Sequence, residues 1–248
     1  MSMHKNLADI SFWVHLNKDI KFEKPAHDHP IRKWVNENLS GENGSCLEIG
    51  CFPGRYLTIF GDLGYELNGI DQLKHTSTLV PEWLKNEGYK AGEFIEGDFL
   101  SYDWKDKKFD LVYSLGFIEH FTNWEEVIRS HCKIVKDGGT LLIEAPNFSG
   151  FFQYILHYLF DRENLKRHYI QSMSPKKWKK ILVSEGFVVQ YKGYFYGFDF
   201  WTEDQNRSKA NQAILNFLMK VFYKIKPHIK FNSRFFSPYC GIIAKKIN

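Results

Sequence analysis

The sequence predicts an α/β fold in which helices cover a doubly wound, largely parallel sheet. Short apolar segments typical of strands alternate with segments of helical spacing between residues 45 and 145, and such alternation favours parallel pairing of the strands. A glycine turn over residues 50–54 separates the first strand from the helix that follows it. Beyond residue 146 the alternation is interrupted by two longer segments, which we interpret as insertions.

The elements of the sheet follow one another in a regular order. A helical cap is predicted over residues 1–40, because apolar residues recur at helical spacing over residues 31–39 directly after Pro30, a residue favoured in the first turn of a helix. Gly64 and the glycine turn at residues 137–139 mark the ends of two central helices. Apolar runs predict strands over residues 45–49, 66–70, 93–96, 109–114 and 140–145, and helices over residues 55–63, 81–86 and 123–134.

Two insertions follow the central region. The first, residues 147–174, contains an aromatic segment at 151–160 and a polar one at 161–172, and we interpret it as a lid. A helix over residues 175–185 and a strand over 187–191 restore the pattern. The second insertion is helical and covers residues 198–234, before a closing strand near residues 241–244. We interpret the whole chain, residues 1–248, as a single domain.

Composition limits the class of protein. The chain has 248 residues, of which 44% are hydrophobic and 25% are charged, as expected of a globular protein. The formal net charge of +4 is lower than nucleic-acid-binding proteins usually carry. No apolar run is long enough for a membrane span or an export signal. The four cysteines form no C-x-x-C pair, so we expect a reduced, cytoplasmic protein without a disulfide framework; they are Cys46, Cys51, Cys132 and Cys240.

Candidate binding residues lie where the predicted strands end. In open α/β sheets, ligands bind beyond the carboxyl ends of the strands, so the residues at these ends are expected to form one site. The candidates are Glu48, Gly50, Cys51, Gly54, Asp71, Gln72, Asp98, Phe99, Ser114 and Leu115.

The glycine loop differs from a dinucleotide-binding loop. In the G-x-G-x-x-G pattern the second and third glycines would fall on Phe52 and Arg55. Glu48 would repel a pyrophosphate but suits a cationic ligand. Asp71 ends the next strand, where a carboxylate can accept hydrogen bonds from both hydroxyls of a ribose. An isolated aspartate after a strand is more often a turn or cap residue, so the combination carries the prediction.

Five segments resemble the ordered motifs of class I S-adenosylmethionine-dependent methyltransferases. They are LEIGCFPG (residues 47–54), GID (69–71), EGDF (96–99), FDLVYS (109–114) with EH (119–120), and KDGGT (136–140). The resemblance implies a Rossmann-like sheet of seven strands, mostly parallel with an antiparallel strand near the C-terminus, and a transferase that uses S-adenosyl-L-methionine.

The resemblance also implies roles for individual residues. Asp71 would hold the ribose, and Asp98 with Phe99 the adenine. The residues around the methionine portion would be Glu48, Gly50 and Gly54, and Ser114 and Leu115 would lie beside the cofactor. The chain departs from the family at Phe52, where glycine is common.

Two histidines are candidate general bases. Methyl transfer is an in-line displacement that depends mainly on positioning, although a hydroxyl nucleophile usually also needs a proton acceptor. His120 follows the fourth strand at the mouth of the expected cleft, and His168 lies in the lid. Alternatively, His120 fixes the loop and His168 is an ordinary hydrogen-bonding residue. His27 and His29 lack a third ligand, so we expect no metal.

The nature of the acceptor is less constrained. Phe12 and Trp13 are candidates to cover the cofactor, and aromatic residues over 194–201 could stack on a sugar or a ring, although such clusters are more often core. An amphipathic, lysine-containing segment over residues 211–230 is expected to pack over the sheet or to form a homodimer face, with membrane-surface contact as the alternative.

We therefore expect a methyltransferase that acts on a small molecule, through an oxygen nucleophile of a sugar-like or aromatic compound. A macromolecular methyltransferase, acting on RNA or protein, and a non-catalytic S-adenosylmethionine-binding protein are the alternatives. Nucleic acid is disfavoured because residues 114–117 lack the Asn/Asp-Pro-Pro-aromatic sequence of amino-directed DNA methyltransferases.

Overall fold

The computed structural model describes residues 6–19, 21–41, 43–203, 207–229 and 231–247. Its central feature is a sheet with the strand order β3-β2-β1-β4-β5-β7-β6. The strands are β1 (Ser45–Ile49), β2 (Glu66–Asp71), β3 (Ala91–Glu96), β4 (Phe109–Leu115), β5 (Val135–Pro146), β6 (Phe187–Phe195) and β7 (Tyr239–Lys246). Strands β1 to β5 pair in parallel, whereas β7 runs antiparallel to both β5 and β6. The predicted seven-stranded mixed sheet is confirmed.

Register brings the carboxyl ends of the first four strands to one edge. Ile49 at the end of β1 lies opposite Ile70 of β2 and Ser114 of β4, and Ile70 lies opposite Ile95 of β3. The loops that leave these strands therefore meet above the same edge of the sheet, where the sequence places its candidate binding residues.

Helices cover the sheet and extend beyond it. Two, α1 (Ile10–Leu16) and α2 (Pro30–Asn38), lie before the first strand. The remaining helices are α3 (Leu57–Asp62), α4 (Leu79–Asn86), α5 (Trp124–Lys133), α6 (Phe151–Phe160), α7 (Arg162–Lys166), α8 (Pro175–Ser184) and α9 (Lys209–Ile225). Among the described residues, none of the helices is both long and apolar enough to cross a lipid bilayer.

Two predicted boundaries are wrong. We expected a turn at residues 137–139 before the fifth strand, but β5 begins at Val135, which pairs with Phe109, and a register shift accommodates the glycines. The helix expected from residue 55 begins at Leu57. Helix α9 (Lys209–Ile225) begins two residues before the predicted amphipathic segment over 211–230 and ends within it, and Lys230 falls outside the described residues.

The two faces of the sheet pack against different helices. Val112 and Ile143 belong to the core that contains Trp178 of α8, and Leu111 and Leu142 belong to the core on the opposite face. This opposite core holds Trp34 of α2, which stacks on Phe195 of β6 with ring centroids 4.6 Å apart. The alternation of neighbouring residues between the two cores is the period-two pattern of a strand buried on both faces.

Candidate functional site

A cavity of about 560 Å³ opens at the carboxyl edge of strands β1 to β4. Its size is typical of sites for small molecules and cofactors. Nine of the ten sequence-predicted binding residues line it: Glu48, Gly50, Cys51, Gly54, Asp71, Gln72, Asp98, Phe99 and Leu115. The topology of the sheet thus brings together residues that are up to 67 positions apart in the chain.

The floor of the cavity is the loop between β1 and α3. Gly50 and Gly54 have φ of +75° and +93°, a left-handed conformation that favours glycine. A Cβ atom at Gly50 would lie 2.8 Å from a ring carbon of Phe117, and one at Gly54 would lie 2.7 Å from Val80 Cγ1. Both glycines are therefore required by the backbone path as well as by space.

Phe52 does not disrupt this loop. Its backbone N–H donates to Asp71 Oδ2 at 3.0 Å, so the position where the family commonly has glycine is tied to the carboxylate at the end of β2. The loop is also held by Gly50, whose N–H donates to the Ile70 carbonyl at 2.9 Å. The two bonds fix the loop to the second strand.

Glu48 is a buried acid at the end of β1. Glu48 is 2% exposed, and the hydroxyl of Tyr113 donates to its Oε2 at 3.3 Å. Burial raises the pKa of the Glu48 carboxyl well above its ordinary value, and the nearby Asp71 carboxylate adds to the shift. A cationic group in the cavity would favour the charged form.

Asp71 holds the loop and keeps free acceptor capacity. Its Oδ2 accepts from Phe52 N–H and its Oδ1 from Leu73 N–H at 2.9 Å. A carboxylate oxygen accepts about two hydrogen bonds, so each oxygen retains capacity for one more donor. Burial raises the pKa of Asp71, although hydrogen bonds from the backbone of Leu73, Phe52 and Gln72 oppose that shift.

The third strand contributes an acid and an aromatic ring. Asp98 caps the turn that follows β3, because its Oδ1 accepts from Leu100 N–H at 3.1 Å. Phe99 is 4% exposed, and its ring meets that of His131 edge to face at a centroid distance of 4.9 Å. Both residues line the cavity.

Ser114 is the predicted binding residue that the cavity does not include. It is fully buried, and its hydroxyl lies 3.1 Å from Nε2 of His131. The alternation of side chains along β4 directs Ser114 into the core, whereas Leu115 lies at the cavity wall.

The two predicted bases lie side by side. His120 lines the cavity, and its ring centroid is 4.7 Å from that of His168, which does not line it. Nδ1 of His120 lies 2.9 Å from the Arg167 carbonyl, and Nδ1 of His168 lies 2.7 Å from the Asn164 carbonyl. Because a carbonyl oxygen only accepts, each Nδ1 carries the hydrogen and each Nε2 keeps a lone pair.

Burial keeps both imidazoles neutral. It lowers the pKa of His120 to about 4. Hydrogen bonds of the ring to the backbone of Arg167 and Gly116 oppose this shift. The pKa of His168 is lowered well below its ordinary value, first by burial and then by the charge of His120. Near neutral pH, each Nε2 is an acceptor or a ligand rather than a donor.

Two contributions to the site were missed from the sequence. Helix α1 forms a cavity wall through Ile10, Trp13 and Leu16; their recurrence every three residues was the signal. Trp13 was a candidate cover, and its ring meets that of His120 edge to face at 5.1 Å. Phe12, its expected partner, does not line the cavity, and His29 instead accepts from Ile31 N–H at the start of α2.

The second missed residue is Glu119. It is fully buried beside the two histidines, and both of its carboxylate oxygens lack a hydrogen-bond partner among the described residues. Burial raises the pKa of Glu119 to about 8. No local pattern separates such a buried, unpaired carboxylate from a surface glutamate at the start of a helix.

Comparison with known proteins agrees with this geometry. The family described as "Methyltransferase domain" matches residues 23–192, more than half of the 248 residues. The chain belongs to this family. The expected family of S-adenosylmethionine-dependent methyltransferases is thereby confirmed, with S-adenosylmethionine as the cofactor of this class of domain.

Curated relatives of this methyltransferase act on different compounds. The ubiquinone biosynthesis O-methyltransferase of Pseudomonas entomophila is 28% identical over 149 residues, which are 58% of this chain and 63% of that protein. The sterol 24-C-methyltransferase of Candida albicans is 24% identical over 182 residues, 67% of this chain and 45% of that protein. The chain thus spans less than two thirds of either relative.

A solved structure shows the same fold. The S-adenosylmethionine-dependent methyltransferase from Archaeoglobus fulgidus superposes with a TM-score of 0.54 at 22% identity, covering 87% of this chain and 91% of the other. At this level of identity the likeness concerns the fold alone.

The buried pair of His131 and Ser114 lies beneath the cavity, and the titration of His131 can be tested through the stability of the chain. Burial lowers the pKa of His131 to about 4, below the value of about 6.5 in an unfolded chain. Below pH 6.5 the unfolded chain binds a proton that the folded chain does not bind. The free energy of unfolding therefore falls as the pH falls toward 4, by about 2 kcal/mol between pH 7 and pH 5. We expect urea unfolding of His131→Gln to show a correspondingly smaller loss over this range than the parent chain. An equal loss in both proteins would show that His131 does not titrate in this way.

Proposed function

We propose that S-adenosylmethionine binds in the cavity at the carboxyl edge of β1 to β4. The observation that carries the proposal is the presence of two carboxylates in the wall of one cavity, the buried Glu48 and the half-buried Asp71. Their burial is unfavourable without a ligand that supplies positive charge and hydrogen-bond donors. An ammonium and a sulfonium supply the charge, and the two hydroxyls of a ribose supply the donors.

Each residue has a proposed part in holding the cofactor. Glu48 receives the ammonium, and the left-handed turn at Gly50 and Gly54 leaves room for the methionine portion beside the backbone. Asp71 accepts from the ribose hydroxyls with the capacity that its two backbone donors leave free. Asp98 accepts from the adenine amine, and the ring of Phe99 packs against the base.

We further propose that the acceptor is a small molecule with an apolar ring system and a hydroxyl group. The end of the cavity near α1 is lined by Ile10, Trp13, Leu16, Phe117 and Phe121, which favour an apolar or aromatic body. His120 lies at the same end and presents the lone pair of Nε2.

Oxygen is the acceptor atom that this arrangement favours. A hydroxyl oxygen loses a proton when it is methylated, and a neutral imidazole can accept a hydrogen bond from it. Of the two predicted bases, His120 lines the cavity and His168 does not, so we propose that His120 is the one beside the acceptor hydroxyl. The ubiquinone relative is named as an O-methyltransferase, which supports this choice, whereas the sterol relative is named as a C-methyltransferase.

The chain's own part in the reaction is positioning. When bound, S-adenosylmethionine supplies an electrophilic methyl group. Glu48 and Asp71 hold the two ends of the donor against the loop, and the apolar wall of α1 excludes water and orients the acceptor. Holding two reactants in line provides much of the rate of such a displacement.

Calorimetric titration with S-adenosylmethionine and, separately, with NAD tests the binding proposal. We expect S-adenosylmethionine to bind and NAD not to bind, because Glu48 repels a pyrophosphate. Asp71→Ala should weaken S-adenosylmethionine binding by at least about tenfold, since two hydrogen bonds to a charged group are lost. Asp103→Ala, which removes an exposed aspartate outside the cavity, is the matched control.

An unchanged affinity in Asp71→Ala would refute the assignment of the ribose, and tight NAD binding without S-adenosylmethionine binding would refute the proposed cofactor site. A screen with labelled S-adenosylmethionine over phenols, sterols, sugars, amines and RNA then tests the acceptor. Label transfer to RNA alone would favour the macromolecular alternative.

A further inference from the structure

We propose that Glu119, His120 and His168 form a binding site for one divalent transition-metal ion, with Zn²⁺ as the ion that suits this set of ligands. We expected no metal from the sequence, because the first two residues lie in a short 3-10 helix after β4 and the third follows 48 residues later. That the metal site lies beside the acceptor rests on the proposed function.

The first argument is the distance between the donor atoms. One ligand atom from each of the three side chains lies within 4.8 Å of the other two. Ligands at about 2.1 Å from one zinc ion are about 3.4 Å apart in tetrahedral geometry. Small side-chain rotations would close that gap.

The second argument is the unsatisfied carboxylate of Glu119. The residue is fully buried, and within the described part of the chain neither Oε1 nor Oε2 has a hydrogen-bond partner. A buried carboxylate without a partner is strongly unfavourable, and a bound cation is one of the few groups that can satisfy both oxygens. No cationic side chain forms an ion pair with Glu119 among the residues that the structure describes.

The third argument is the orientation of the two imidazoles. Nδ1 of His120 and Nδ1 of His168 each donate to a backbone carbonyl, of Arg167 and Asn164. Histidines that bind metals usually donate their other ring nitrogen in this way, which fixes the tautomer and the ring plane. Here it leaves Nε2 of His168 available to an ion, and an ion at Nε2 of His120 would replace the hydrogen bond of this ring to the Gly116 backbone.

The site has a chemical consequence for the proposed reaction. Two imidazoles and a carboxylate leave open positions on a zinc ion, and His120 places the ion at the cavity wall. A hydroxyl of the acceptor that coordinates the ion would have a lowered pKa and would release its proton to solvent at neutral pH. With the ion bound, Nε2 of His120 is a ligand and no longer accepts from the acceptor hydroxyl, so the ion takes over the activation of the oxygen from the imidazole.

Binding of Zn²⁺ and Co²⁺ to the chain, after treatment with a chelator and dialysis, tests the site without any assay of activity. We expect one ion per chain by calorimetry and a visible d–d absorption band with Co²⁺. Glu119→Gln and His168→Gln should each weaken binding of both ions at least tenfold. His228→Gln removes an exposed histidine outside the cluster and is the matched control.

Circular dichroism and titration with S-adenosylmethionine accompany each variant. If a variant does not fold, the wild-type Co²⁺ spectrum and stoichiometry decide the question. Absence of a bound ion in the wild type, or equal affinity in the wild type and a folded His168→Gln, would overturn the proposal. Because S-adenosylmethionine binding is measured separately, its failure would count against the proposed function and not against the metal site.

A different observation carries a second inference. Helices α6 and α9 pack together through Leu156, Phe160 and Leu215, and Phe152 N–H donates to the Phe235 carbonyl at 3.0 Å. Large apolar side chains on these elements remain exposed, and we call them the aromatic face: Phe151, Phe152, Tyr158, Phe217, Tyr223 and Phe235. Phe217 is 66% exposed and Phe235 is 62% exposed.

Positive charge predominates on the segments that carry the aromatic face, although the Asp199 carboxylate pairs with Lys226 beside Tyr223. The sequence contains no aspartate or glutamate after Asp204, nor any within residues 151–160. Lys220, Lys224 and Arg234 are exposed beside the aromatic face, and none of them takes part in an ion pair of the described residues. Exposed aromatic residues flanked by unpaired lysine and arginine are the composition of a surface that lies on an anionic bilayer.

We infer that the aromatic face docks on the surface of a membrane that contains anionic lipids. Cosedimentation with vesicles of phosphatidylcholine, and of phosphatidylcholine mixed with phosphatidylglycerol, tests this. We expect binding to the anionic vesicles, weakened by added salt, and at least tenfold weaker binding by Phe217→Glu. Val188→Glu changes an equally exposed apolar residue on β6, outside the aromatic face, and is the control.

Light scattering without vesicles shows whether a second copy of the chain covers the aromatic face instead. No binding to anionic vesicles, or equal binding by Phe217→Glu, would overturn the inference. So would a stable dimer that Phe217→Glu dissociates, because a second copy of the chain would then cover this face.

Discussion

The structure depends on two acids at the carboxyl edge of a parallel sheet, one buried and one half-buried. Glu48 and Asp71 end the neighbouring strands β1 and β2, and burial raises the pKa of both carboxyl groups. Hydrogen bonds stabilise this arrangement: the backbone N–H groups of Phe52 and Leu73 donate to Asp71, and the Tyr113 hydroxyl donates to Glu48. The two carboxylates can still accept hydrogen bonds and a positive charge. We propose that this determines which ligand binds.

Much of this arrangement follows from the sequence. The alternation of strands and helices predicts parallel pairing, and parallel pairing brings the ends of β1 to β4 together without any knowledge of side-chain packing. Glu48, Asp71 and Asp98 could therefore be placed in one site from their positions at strand ends. Gly50 and Gly54 could be placed there because their turn requires a left-handed backbone.

Other features depend on contacts that no local pattern records. The partner of the Ser114 hydroxyl is one such feature, because His131, which it contacts, lies on another element. The closeness of Glu119, His120 and His168 depends on the path of the lid, which returns after 48 residues to lie against the 3-10 helix behind β4. The wall formed by α1 depends on how the N-terminal segment folds back, where Leu7 N–H donates to the His120 carbonyl at 2.7 Å. Periodicity predicts that such segments are helical, but it does not determine where they dock.

We propose that the carboxylate of Glu48 selects a cationic donor. The most direct measurement compares the affinities of S-adenosylmethionine and 5′-methylthioadenosine, which lacks the amino-acid portion, for the parent chain and for Glu48→Gln. We predict that the substitution weakens S-adenosylmethionine binding at least about tenfold, through loss of a charge-assisted hydrogen bond, and leaves 5′-methylthioadenosine binding unchanged. Equal effects on both ligands, or no effect on either, would contradict the account.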